Sequence, residues 1–83
     1  MNKIGCLPHW FDEDAIANKL FSSATAFTQS ELETLVEFYS NYRYNGNGYW
    51  EAYIAIKGIH ASIKYYRIEG VYVYEQPVVT NQG

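Results

Sequence analysis

The chain has 83 residues, 48% of them hydrophobic and 18% charged, with nine acids against six bases and a formal charge of −3. That length is the size of one domain, and the composition excludes a disordered chain. The single cysteine, Cys6, excludes an internal disulfide framework and any multi-cysteine metal centre.

Residues 1–10 read as an N-terminal extension or a short strand, Lys3 to Leu7, that Pro8 would end. A first helix is expected from Asp12 to about Ser22. Asp12 can cap it, and Glu13 and Asp14 stand where the helix dipole favours acids. Phe11 would staple onto Ile16, and Ile16, Leu20 and either Ala17 or Phe21 would face inward. The second helix opens with a capping box, Thr28-Gln29-Ser30-Glu31, with Phe27 and Leu32 at the staple positions. Leu32, Leu35, Val36, Tyr39 and Tyr42 recur at helical spacing, so the helical part is expected over 12–43. Asn45-Gly46-Asn47-Gly48 would stop it.

After Gly48 the period becomes alternating. Taking Lys57-Gly58 as a two-residue hairpin loop pairs Ile56 with Ile59, Ile54 with Ala61, Ala52 with Ile63 and Trp50 with Tyr65. All eight side chains then share one face, and Glu51 meets Lys64 on the other. For the next turn, a three-residue loop, Ile68-Glu69-Gly70, keeps that face apolar. It sets Tyr65 opposite Val73 and Arg67 opposite Val71. The expectation is an α+β domain, two N-terminal helices packed on a three-stranded antiparallel meander (ααβββ). The strands would run about 49–57, 59–67 and 71–76, and 77–83 would be a tail. The helices would cover Trp50, Ile54, Ile56, Ile63 and Val73.

The same registers place Tyr49, Tyr53, Lys64, Tyr66, Tyr72 and Tyr74 together on the uncovered face. Tyrosine buries much area while keeping a polar tip, so it is enriched at interfaces. It is also common on solvated sheet faces, and residues 1–10 could fold over the patch.

Signals for catalysis are weak. His9 and His60 are the only ordinary neutral-pH acid–base groups and are far apart in sequence. Cys6 with His9 lacks any feature that would lower a thiol pKa, so an inert buried cysteine is the better account. Asp12, Glu13 and Asp14 suit capping better than cation binding. Phosphate-loop, zinc-protease, CxxC and nucleophile-elbow motifs are missing. No catalytic residue, cofactor or metal ligand is therefore assigned.

In size and composition alone, the chain resembles the small inhibitors and immunity proteins of phages and mobile elements. That resemblance implies a protein that occludes a larger partner. The expected function is a small non-catalytic protein-binding module, with the six residues above contacting a protein partner. The second reading is a single-stranded nucleic-acid binder that stacks bases on the tyrosines. Its weakness is the mild acidity, since phosphate affinity comes largely from Lys and Arg. A small enzyme comes third. No apolar run nears the ~20 residues of a membrane span, and Met1 to Leu7 is too short a patch for a signal peptide. A cytoplasmic protein without a membrane partner is expected, and a homodimer through open strand edges is compatible with the pattern.

Overall fold

The computed structural model describes residues 12–22 and 26–80. Expectations for residues 1–11, including Cys6, His9 and the Phe11 staple, lie outside the described residues.

Helix α1 (Glu13–Ser22) starts as its acids dictate: the Asp12 carboxylate accepts from the Asp14 amide at 3.1 Å. Ile16 and Leu20 are buried, Ala17 is half-buried, and Phe21 is 83% exposed. Helix α2 (Gln29–Tyr39) has the full capping box. The Glu31 amide donates to Thr28 Oγ1 at 3.1 Å, and the Thr28 amide donates to Glu31 Oε1 at 2.9 Å. Leu32, Leu35 and Val36 form its buried stripe, with Phe27 in the same core. Lys19 joins the two helices, pairing with Glu31 at 3.1 Å while its ammonium lies 4.8 Å from the Phe27 ring centroid.

Helix α2 ends at Tyr39, not near residue 43. Ser40, with φ −75° and ψ 124°, turns the chain directly into strand β1 (Ser40–Asn45). The helical spacing of Tyr39 and Tyr42 misleads here. The competing signal, tyrosines at the alternate positions 42 and 44, is the one the fold uses, because β1 has a partner in strand β2 (Trp50–Ile56).

Strand β3 (Ile59–Ile68) pairs with β2 as expected, with Trp50 opposite Tyr65, Glu51 opposite Lys64 and Ile56 opposite Ile59. Lys57 and Gly58 both have positive φ, 49° and 80°, which makes the connection a type I′ turn. Strand β4 (Val71–Tyr74) follows a second turn of the same kind, with Glu69 at φ 50° and Gly70 at 80°. The loop therefore has two residues, not three. The register is Ile68 with Val71, Arg67 with Tyr72, Tyr66 with Val73 and Tyr65 with Tyr74. This one-residue slip moves Tyr72 and Tyr74 to the helix side and Val73 to the open side.

After Pro77 a short strand β5 (Val78–Val79) pairs with β3, where a tail was expected, and Val79 packs against the core. The antiparallel sheet thus has the order β1-β2-β3-β4, with β5 also paired to β3, and the three-stranded meander undercounts its strands. The α+β class holds. Buried side chains from α1, α2, β2 and β3 meet on the inner face: Ile16, Leu20, Leu32 and Leu35 against Ile54, Ile56 and Ile63. Trp50 is half-buried at the margin of this core.

Two glutamines tie the start of α2 to the fourth strand position. Gln29 donates its amide to Tyr74 O and accepts from the Tyr74 amide, both at 2.8 Å. Gln76 accepts from the Phe27 amide at 2.8 Å and donates to Phe27 O at 3.0 Å. Each side chain satisfies one backbone donor and one acceptor, as a neighbouring strand residue would.

Candidate interaction surface

The outer face of the sheet, opposite the helices, is set by the registers. Tyr42 and Tyr44 come from β1; Tyr53 comes from β2, preceded by Tyr49. Lys64, Tyr66 and Ile68 come from β3, and Val71 and Val73 from β4. Eight large hydrophobic side chains among the described residues are exposed, and six of them share this face: Tyr42, Tyr44, Ile68, Val71, Val73 and Val78. The other two, Phe21 and Tyr72, stand on α1 and on the inner side of β4.

Of the expected contact residues, the sheet brings Tyr49, Tyr53, Lys64 and Tyr66 together and separates Tyr72 and Tyr74 from them. Those two instead extend an inner aromatic cluster. Trp50 and Tyr65 stack at 5.7 Å, and Tyr72 meets both edge-on at 5.6 Å. Tyr74 stacks on Tyr65 at 5.0 Å. Burial, with lesser help from Glu33 and other neighbours, pushes the Tyr74 hydroxyl up to about 12. Tyr42, expected as the last residue of the helical stripe, and Tyr44, just beyond the expected helix end, are both outer-face residues. Their alternation was the available signal.

The outer tyrosines are held from the side. Tyr42 stacks on Tyr53 at 5.7 Å. The Tyr53 hydroxyl donates to Glu51 Oε1 at 3.0 Å, and the Tyr66 hydroxyl donates to Glu75. Both phenols are raised above their ordinary range, chiefly by these hydrogen bonds to carboxylates. The Lys64 ammonium lies 4.7 Å from the Tyr49 ring centroid. That ring also lies against Gly46, where an added Cβ would come within 2.6 Å of it. The rings therefore offer broad apolar area with few free rotamers, which lowers the entropy cost of association.

Groups suited to chemistry are dispersed. Asp12 caps α1, Glu13 accepts from the Tyr39 hydroxyl at 3.0 Å, and Asp14 pairs with Lys57 at 3.0 Å. Burial first, then Glu13, pushes Tyr39 up to about 12. His60 is exposed on β3 opposite Ala55. Among the described residues, no group of three His, Cys, Asp or Glu side chains is placed to hold a metal ion, and no helix is long and apolar enough to cross a membrane.

Comparison of the chain with models of protein families, with curated proteins and with solved structures finds no match.

Proposed function

We propose that the chain is a non-catalytic protein-binding module that engages a larger protein through the outer face of its sheet. The observation that carries this reading is the gathering of six exposed large hydrophobics on that face, beside the half-buried Tyr49, Tyr53 and Tyr66. Exposed apolar side chains gathered on one face are a characteristic of interaction sites, and Tyr is among the residues that dominate interface energies. A standard interface takes about 800 Å² from each partner, and the chain exposes 5546 Å², so one sheet face and its rim are large enough. The contact set is Tyr42, Tyr44, Tyr49, Tyr53, Lys64, Tyr66, Val71 and Val73. Inhibition of the partner by occlusion is the mode of action this reading favours.

Single-stranded nucleic acid is the second reading, supported by the ring surface itself. It is disfavoured by the charges, because Lys64 shares the face with Glu51 and Glu75. The test is affinity capture from the native host with the wild-type chain and with a Tyr66→Glu, Val71→Glu variant whose fold is checked by circular dichroism. A protein retained by the wild type and lost by the folded variant supports the site. Equal retention by both removes the outer face from consideration. Oligonucleotide binding that weakens steeply with salt would favour the second reading.

A further inference from the structure

We propose that the free edge of β1 pairs with β1 of a second copy of this chain, giving a two-fold dimer with one continuous sheet. This goes beyond the partner-binding reading and does not rest on it. The two sides of the sheet are finished differently. On the β4 side, Gln29 occupies the outward amide and carbonyl of Tyr74, leaving Tyr72 as the single β4 residue with outward backbone groups, and Pro77 interrupts the strand position before β5. On the β1 side nothing comparable is present among the described residues.

The hydrogen-bond phase of β1 follows from its turn. The Gly46 amide donates to Tyr49 O at 2.8 Å, so Gly46 and Tyr49 form a hydrogen-bonded pair. Alternation along an antiparallel ladder then makes Tyr44–Glu51 and Tyr42–Tyr53 hydrogen-bonded pairs. The amides and carbonyls of Arg43 and Asn45 consequently point away from β2. An open row of such groups is a template for another strand. An irregularity between Ser40 and Tyr42 confines the regular edge to residues 42–45.

That short edge is self-complementary in a register centred on Tyr44. A two-fold axis at Tyr44 pairs Arg43 of each copy with Asn45 of the other through backbone hydrogen bonds. Tyr44 then meets Tyr44, and Tyr42 lies opposite Gly46, beside the Tyr49 ring that covers that glycine. A register centred on Arg43 would set two guanidinium groups face to face, which destabilises a pair. In the favoured register no like charges oppose one another along the edge. The contact is at the small end of the interface range, so a concentration-dependent dimer is expected rather than a permanent one.

Sedimentation and amide hydrogen exchange across a wide concentration range test this directly. The expected mass rises toward twice the 9.6 kDa chain as concentration increases. The Arg43 and Asn45 amides should gain protection in parallel, while those of Tyr42 and Tyr44 are protected throughout. Asn45→Pro removes an outward donor without touching the ladder to β2, and Tyr44→Lys sets two ammonium groups against each other at the axis. Both should stay monomeric with the β2–β3 amides still protected. Should the proline variant fail to fold, Tyr44→Lys decides alone. A wild type that remains monomeric with Arg43 and Asn45 exchanging freely overturns the proposal. So does a dimer that survives Tyr44→Lys.

Discussion

Hairpins β2–β3 and β3–β4 are built on the same turn and share a strand, yet they distribute their side chains in opposite ways. In the first, the aliphatic residues Ala52, Ile54, Ile56, Ala61 and Ile63 are all buried. In the second, Val71 and Val73 are 63% and 37% exposed, while Tyr72 and Tyr74 take the inner side. The difference lies in what each strand finds beneath it. Under β2 and β3 are Leu32, Leu35 and Ile16, an aliphatic floor. The neighbours of β4 are Trp50 and Tyr65, and offset or edge-on aromatic contacts add about 0.5–1.5 kcal/mol beyond the area they bury. Hydropathy alone ranks the valines above the tyrosines, yet the β4 side chain packed against the core is Tyr74, with Tyr72 42% exposed at the edge of the aromatic cluster.

The largest contrast should appear on truncation. Ile63→Ala is expected to cost about 2–5 kcal/mol, because the side chain is fully buried and its removal leaves a cavity. Val71→Ala should change stability by less than about 0.5 kcal/mol. Denaturant melts of the two variants measure the gap, and equal losses would break the distinction. Gln29→Ala comes next, at about 1–3 kcal/mol, since it strips two hydrogen bonds from Tyr74. Its signature is local: the Tyr74 amide should exchange faster by more than the fall in global stability explains, whereas the Ile54 amide follows that fall alone.

A smaller effect is expected at high pH. Tyr39 and Tyr74 both titrate near 12 in the folded chain, above the ordinary 10. The unfolded chain therefore loses these protons first. Their contribution is complete below pH 10, falls as pH rises from about 10 to about 12, and is level beyond. Tyr74→Phe should flatten part of that decline in a pH series of melts. The smallest expected change is at the turn. Glu69→Gly should be neutral or stabilise by up to about 1 kcal/mol, because glycine takes the positive φ of 50° without steric cost. A marked loss would mean that the Glu69 side chain contributes more than its backbone does.

The first hairpin was legible because one register satisfied both faces at once, with Glu51 meeting Lys64 where Trp50 meets Tyr65. The Thr28–Glu31 box was legible because it is a local, paired signal. The second hairpin was not, since tyrosine is accepted on either face, so patterning did not choose between a two-residue and a three-residue loop. Strand β1 was hidden by the missing punctuation: no glycine or proline occurs from Gln29 to Asn45, across the change from helix to strand. The candidate surface inherits both misreadings. Four of its six expected residues share the outer face, and Tyr42 and Tyr44 replace the pair that the slip carried inside.

The glutamine links have a kinetic meaning. Gln29 reaches a residue 45 positions away, and Gln76 one 49 positions away. Closing such long loops is slow relative to helix and hairpin formation, and contacts of this kind are completed late in folding. Interactions absent from the transition state govern how fast the native chain opens, not how fast it forms. Removing either amide should therefore leave the refolding rate nearly unchanged and accelerate unfolding. Two side chains would then set the lifetime of the folded state.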